Sequence, residues 1–422
     1  MRKTYTKNIT YSVVPFGTAE QMFLIAEPAQ NFVTLPDDDT QGHGKSVPDW
    51  QRQIYTVFHD IRELLHSEGQ GFLSNVVMSN FYLADIGMKE LLRQIVTEVF
   101  PNGLGAMTII PQAPIGGGVC GVEIWAIAGK NVKRKKSDSD NIIVTESDSI
   151  RWFFGGNFRS DNLPVGAYNR SLDAFKNFGD SLIQNKFQLD QVIRTWIYQG
   201  HLVLPDKAES AGSLQRYQEL NRARTDFFGT TKFLSQYLPP ECKSMVFPAS
   251  TGIGADDIDV VIAAIAVDTK RKDFIAVPLE NPNQTSAFSY SENYSPQSPK
   301  FARGMAVTID NWCQIFVSGT ASITDSESRF GGDPASQTEQ TLDNIAALID
   351  SDNLTQHGIK GFNSGLDKFE CVRVYIKNSN DFNVIDKICK KRLTNTPTLY
   401  TIADVCRPEL LVEIEGFAVT TK

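Results

Sequence analysis

Histidine and paired cysteine are what this chain has least of. Its 422 residues include only five histidines, and these do not cluster; His59 and His66 fall seven apart on one helical stretch, as surface residues do. The six cysteines (Cys120, Cys242, Cys313, Cys371, Cys389 and Cys406) are scattered without CxxC spacing. That pattern excludes a zinc-finger frame and a disulfide scaffold, and fits reduced thiols in a cytoplasmic protein. No metal site and no cofactor are expected. Positive charge is also short: the net charge of −8 gives no general affinity for nucleic acid or acidic membranes. An anionic ligand must therefore be held by arginines gathered locally. No run approaches the roughly 18 apolar residues of a membrane-spanning helix, and the opening "MRKTYTKNIT" lacks the apolar core of a signal peptide.

What is present is ordinary globular material, 41% apolar and 21% charged, in a chain long enough for two or three domains. One order of elements recurs along it. "QIYTVFHDIRELLHSEG" has helical apolar spacing; "NVVMSNFYLADI" alternates like a strand; "MKELLRQIVTEVF" is a second helix; "GVEIWAIAG" is a closing strand. Near the C-terminus the order returns as "WCQIFVSGTASI", "SQTEQTLDNIAALI", "ECVRVYIKN", "NVIDKICKKRL" and "LLVEIEGFAV". Glu123 matches Glu413 in this alignment. A weaker middle copy runs from "RWFFGGNF" to "DVVIAAIAV", whose closing strand has no glutamate.

The fold class predicted is α+β: three consecutive units, each a mixed sheet covered on one face by two helices. The other, apolar faces can be buried against each other in a pseudo-threefold arrangement. The units are expected over residues 1–130, 148–278 and 305–422, with a linker at 131–147 and a connecting segment at 279–304. The linker carries the basic run "KNVKRKK", read as exposed. The connecting segment keeps four aromatics, too many for a plain spacer, so it is expected to pack over something. Three units in one chain point to a monomeric pseudo-trimer.

The endings "VEIWAIA" and "VEIEGFA", together with the order of elements, resemble the YjgF/RidA superfamily. The second and third units resemble one of its subgroups, the chorismatases, once grouped as pteridine-dependent dioxygenases. The stretches that carry this are "VIRTWIY", "RYQELNRAR", "PASTGIG", "NPNQTSAFSY", "SPKFARG", "FVSGTASI", "QTLDNI" and "DVCRPELLVEIEG". The first unit is a further RidA-like copy without them. The resemblance implies a small-molecule enzyme that releases pyruvate from chorismate, giving 3-hydroxybenzoate or a dihydroxycyclohexadiene carboxylate. Imine or enamine deamination, an endoribonuclease-like activity, or plain small-molecule binding are the alternatives. The deaminases' carboxylate-holding arginine falls near Leu399 in the third unit and Ala106 in the first.

Cleaving an enolpyruvyl ether requires protonating its methylene carbon, which calls for a carboxylic acid kept neutral near pH 7. Partial burial supplies this by raising a glutamic acid's pKa. In a strand, Glu413 and Glu415 share one face, roughly 7 Å apart. Each is either paired to a lysine or arginine at an edge, or working. The resemblance implies Glu413 as the acid, with Glu415 paired or at the rim. Candidate holders of the ligand carboxylates are Arg194, Arg224, Arg303 and Arg373, whose planar forks suit bidentate pairing. Tyr217 and Tyr375 are candidate hydroxyl donors, or packed aromatics. Ser318 and Gly319 allow close backbone approach. Cys406 and Arg407 adjoin the final strand; glycine at 319 with cysteine at 406 resembles the 3-hydroxybenzoate-forming kind.

Overall fold

The computed structural model describes residues 2–27, 49–69, 71–137, 141–206, 214–242, 245–257, 259–290 and 296–422. Its first sheet is built from β1 (Arg2–Thr6), β2 (Ile9–Phe16), β3 (Ala19–Ala26), β4 (Val76–Leu83), β5 (Ala106–Ile110) and β6 (Cys120–Ala128), with helices α1 (Asp49–Ser67) and α2 (Lys89–Val99). The second comprises β7 (Lys133–Lys136), β8 (Ile142–Ser147), β9 (Ile150–Phe158), β10 (Val192–Gly200), β11 (Ala249–Ala255) and β12 (Val260–Thr269), with α3 (Ala167–Gln184) and α4 (Arg216–Phe228).

The third comprises β13 (Ile275–Leu279), β14 (Gly304–Ile309), β15 (Trp312–Ala321), β18 (Phe369–Ile376), β19 (Thr398–Ile402) and β20 (Val412–Thr421). Between its strands lie a small hairpin, β16 (Ile323–Thr324) and β17 (Glu327–Ser328), and helices α5 (Pro334–Ile349), α6 (Ser351–Gln356) and α7 (Phe382–Leu393).

One strand order is used three times: β1-β2-β3-β6-β4-β5, β7-β8-β9-β12-β10-β11 and β13-β14-β15-β20-β18-β19. In each, the outermost strand following the second helix is parallel to its neighbour and the other pairs are antiparallel. These are three tandem RidA-like units. Two expected segments resolve differently. Lys133–Lys136 and Ile142–Ser147, read as linker, are the edge strand of the second sheet and the strand beside it. A run of basic side chains reads as solvated, yet on an edge strand it protects the open edge while the backbone pairs. Ile275–Leu279, read as the end of the second unit with the first residue of the connecting segment, pairs with β14 and opens the third sheet; an apolar run says nothing about which sheet it joins.

The closing strands show how alternation sorts the two faces. Val122, Ile124 and Ala126 of β6 pack with α1 and α2, whereas Trp125 and Ile127 face the other sheets. In β20, Val412, Ile414 and Ala418 pack with the helices, and Phe417 and Val419 face inward. There Phe417 lies 5.3 Å from Phe23, 5.4 Å from Trp125, 5.7 Å from Phe316 and 6.0 Å from Trp196, ring centre to ring centre. All three units contribute to this cluster. Glu413 and Glu415 belong to the same inward set.

The strand registers superpose the units in detail. One slip precedes each match, at Val76/Met78, Val192/Arg194 and Phe369/Cys371. Beyond it, Asn80 stands opposite Glu123, Trp196 opposite Ala263 and Arg373 opposite Glu415. Glu123 therefore corresponds to Glu415, which corrects the match to Glu413 that the shared letters "VEI" suggest. The place of Glu413 is taken by Gly121 in the first unit and Val261 in the second, each facing a tyrosine, Tyr82 and Tyr198, as Glu413 faces Tyr375. Truncating the hub of the inner cluster with Phe417→Ala is expected to destabilise the fold by about 3–5 kcal/mol. Chemical denaturation midpoints check this.

Candidate active site

Glu413 sits on β20, a central strand between β15 and β18, opposite Ala321 and Tyr375. It is therefore not an edge residue. The pairing of β15 with β20 shifts between Val317 and Thr320, leaving Ser318 and Gly319 out of regular register, as a bulge that re-aims the chain does. The shift brings the Gly319 backbone against the acid. A Cβ added at Gly319 would lie 1.9 Å from Glu413 Oε1, so only glycine leaves that carboxyl in place. Gly319 N–H donates to Thr251 Oγ1 at 2.9 Å, and Ser318 Oγ accepts from Ser250 N–H at 2.9 Å. The bulge is thereby tied to β11 of the second unit.

A cavity of about 410 Å³ opens in front of Glu413, between the second and third units. Tyr217 and Arg224 of α4 and Ser250 and Gly252 of β11 form one wall. Gly319, Cys406, Arg407 and Glu409 face them, and Tyr290, Phe301 and Arg303 of the connecting segment close a third side. Tyr290, Phe301 and Phe288 of that segment thus pack over something specific, the Phe288 ring lying tilted against Phe247 at 5.4 Å; Tyr294 lies outside the described residues.

Electrostatics separates the two glutamates. Glu413 is buried, and among the described residues its carboxyl makes no hydrogen bond or ion pair. Burial, with the negative charge of Glu415 adding to it, pushes its pKa up to about 8 against the pull of Arg194 and Arg303. Glu415 receives five donors: Arg194 Nη2, Thr251 Oγ1 at 2.5 Å, Trp196 Nε1 at 2.9 Å, Arg373 Nη1 at 2.9 Å and Tyr375 OH. Burial alone would raise its pKa, but the Arg373 and Arg194 cations and these donors hold it below the usual carboxylate range. Burial, and then the nearby Glu413, pushes the Cys406 thiol up to about 12, and burial also raises the Tyr217 phenol.

Arg224 and Arg303 are both buried, and neither forms an ion pair with a carboxylate among the described residues. Arg224 donates to Asn221 Oδ1 at 2.6 Å; Arg303 donates to Thr285 O at 2.9 Å and to Tyr290 OH at 2.5 Å. Among the described residues the Nε of each has no hydrogen-bond partner. Phe301 lies 5.7 Å from Arg224 and 5.5 Å from Arg303, between the two cations. Buried guanidiniums without counter-charge are costly unless an anion meets them. Two buried guanidiniums at its wall give the cavity the chemistry to accept an anionic ligand of modest size.

Of the residues singled out in the sequence, Glu413, Cys406, Arg224, Arg303, Tyr217, Gly319 and Arg407 line the cavity. Arg407 there donates to Ser326 O at 2.8 Å and lies 5.4 Å from the Tyr290 ring. Arg194, Arg373 and Tyr375, expected at the ligand, do not line it. Their donors are taken by Glu415 and, for Arg373, by Glu123. Ser318 also lies behind the wall, donating to Ala302 O at 2.6 Å. Ser250, Tyr290 and Phe301 were not singled out. They fall within the quoted stretches "PASTGIG", "NPNQTSAFSY" and "SPKFARG", but nothing in one sequence ranks one position of a motif above another. Cys120, Cys313, Cys371, Cys389 and Cys406 are free thiols, and among the described residues no helix is long and apolar enough to cross a membrane.

Comparison with known proteins defines the class. The family model described as Endoribonuclease L-PSP matches residues 298–420. A crystal structure of a chorismatase shares the fold with a TM-score of 0.62 at 20% identity, covering 82% of this chain and 93% of that one. A 3-hydroxybenzoate synthase of Streptomyces hygroscopicus is 30% identical over 258 residues, which are 60% of this chain and 70% of that protein. A chorismatase of Streptomyces rapamycinicus is 35% identical over 174 residues, or 40% of this chain and half of that protein. The fold is that of the YjgF/RidA superfamily. Within it, the chain belongs to the chorismatase family.

Benzoate, a minimal cyclic carboxylate, is expected to bind this cavity. Arg224→Met and Arg303→Met should each weaken it by roughly tenfold to a hundredfold, the worth of a charge-assisted hydrogen bond. Isothermal titration calorimetry checks the ranking, with Arg392→Met, on the surface, as the unaffected control.

Proposed function

We propose that this chain cleaves the enolpyruvyl ether of chorismate and releases pyruvate. The observation that carries the reading is a buried glutamic acid, without hydrogen bond or ion pair among the described residues, facing a cavity that also holds two buried arginines that form no ion pair there. Chorismate presents what such a site recognises, two carboxylates on a small cyclic frame with an acid-labile ether. Arg224 and Arg303 are placed to hold the carboxylates, and a volume of about 410 Å³ suits a ligand of this size. Glu413 donates its proton to the methylene carbon, turning the enol ether into an oxocarbenium ion. For the aromatic product the bond from the ring carbon to that oxygen then breaks, its electron pair staying on the oxygen as pyruvate's keto group. The neighbouring ring hydroxyl shifts to the vacated carbon, and a ring proton is lost to the Glu413 carboxylate. For the diene, water adds to the oxocarbenium carbon and the hemiketal collapses to pyruvate and the diol. Chorismate divides without remainder into pyruvate and 3-hydroxybenzoate, whereas the dihydroxycyclohexadiene carboxylate requires one added water.

Gly319 and Cys406 both line the cavity, and their combination favours 3-hydroxybenzoate as the aromatic product. The deaminase reading lacks its arginine, because Leu399 and Ala106 are buried apolar residues on the parallel edge strands.

Pyruvate should appear when purified protein is incubated with chorismate, and Glu413→Gln should lose about two to four orders of magnitude in turnover. Full activity in that variant sinks the reading. Because the acid works only when protonated, the rate should hold below about pH 8 and fall above it. Cys406→Ala should move the product mixture toward the dihydroxycyclohexadiene carboxylate, as read by chromatography of the reaction products. An unchanged mixture removes Cys406 from product control.

A further inference from the structure

We infer that Glu123, contributed by the first unit, is a positioning residue for the acid on the third: it holds Arg373, Arg373 holds Glu415, and Glu415 is the fixed negative charge beside Glu413. This rests on Glu413 as the proton donor.

The chain of contacts is continuous and buried. Arg373 projects from β18 across the interface and presents its fork to Glu123 on β6, with Nε 2.5 Å from Oε2 and Nη2 on Oε1. Its remaining terminal nitrogen, Nη1, donates to Glu415 Oε1 at 2.9 Å. Asn80 supports Glu123 from the neighbouring strand at 3.1 Å. The guanidinium is also held over the Trp196 ring at 5.1 Å and the Phe417 ring at 5.9 Å. Arg373 is thereby committed on every side.

The register gives this arrangement a meaning. Glu123 grips the third unit's β18 as Glu415 grips the second unit's β10, at Trp196 and Arg194. In the second unit the same place is Ala263, which grips nothing. Two carboxylates and two guanidiniums, Glu123, Glu415, Arg194 and Arg373, therefore form one balanced group at the junction of the units.

Removing the charge of Glu123 leaves this group with a net positive charge directly behind the acid. That favours ionised Glu413 and shortens the pH range in which the proton is available. The charged groups that face Glu413 more directly are Glu415 on its own strand, Arg194 on β10, Arg303 before β14, Arg224 on α4, and Arg407 and Glu409 in the loop before β20. The titratable neutral groups are Cys406, Tyr217 and Tyr290 in the lining and Tyr375 opposite Glu413 on β18. Substitution at Glu123 changes none of them, so its effect passes through Arg373 and Glu415.

The test compares pH–rate profiles for pyruvate release by the full chain. Glu123→Gln keeps the shape and loses the charge. Its alkaline limb should fall about one pH unit lower, an approximately tenfold loss above the limb, while the acid-side rate changes little. Arg373→Met should move the limb the other way, and the double variant Glu123→Gln/Arg373→Met should return it toward the parent. A uniform loss of rate at all pH values, with the limb unmoved, assigns Glu123 a merely structural role and overturns the inference. If Glu123→Gln does not fold, the opposed shift in Arg373→Met and its reversal in the double variant decide the matter. Titration of the Glu413 carboxyl by carbon-13 NMR gives a readout independent of turnover. A parent chain that releases no pyruvate overturns the proposed reaction, whereas a Glu413 titration unchanged by Glu123→Gln overturns the linkage.

Discussion

A single buried carboxylate, Glu415, is what the rest of the molecule is arranged around. Its donors come from two units, and one of them, Arg373, carries the contact on to the first. An isolated anion so deep in a protein would be protonated or would unfold its surroundings. Here it is stable because both oxygens are saturated and two guanidiniums share the interior with it. The aromatic cluster about Phe417 lies one step further along the same face of β20. Apolar burial and charge pairing are therefore consecutive layers of one interface among three sheets.

The same strand holds a second carboxyl two residues away with the opposite character. Glu415 has five donors and stays ionised; Glu413 has none and holds its proton to about pH 8. Both are buried, so burial does not distinguish them. The distinction is made by which neighbours arrive. Arg194, Thr251 and Trp196 converge on one oxygen of Glu415, while the glycine at 319 withholds any side chain from Glu413 and leaves it facing open volume. Two identical residues on one face thus acquire the separate characters that acid catalysis requires.

Much of this was legible in the sequence, and the rest was hidden for identifiable reasons. Strand alternation placed Glu413 and Glu415 on one face with Phe417, and the recurring order of helices and strands announced three units. The aromatics at 279–304 signalled that this segment covers something. What alternation cannot supply is register between strands. Matching letters aligned Glu123 with Glu413, whereas the slip at Phe369/Cys371, and its counterpart at Val76/Met78, align it with Glu415. Nor does a motif show where an arginine's donors go. Arg194 and Arg373 fall in conspicuous stretches like Arg224 and Arg303, but their partners lie 221 and 42 residues away at Glu415, and 250 away at Glu123. Those contacts exist only once three sheets have met.

Tandem units let the place of Glu413 differ from unit to unit. In separate identical subunits a useful glutamate would be present at every interface, together with whatever it costs in stability. Joined in one chain, the units are free to differ. At the place of Glu413 the first unit has Gly121, where an added Cβ would meet Leu399 at 3.1 Å and Pro114 at 3.5 Å, and the second has Val261, fully packed. Both places are apolar and closed to a carboxylate. The cleft between the second and third units keeps open volume, a buried acid and two buried cations that form no ion pair among the described residues, all of which work against stability. A single chain confines that expense to one interface and leaves the other two to hold it in shape.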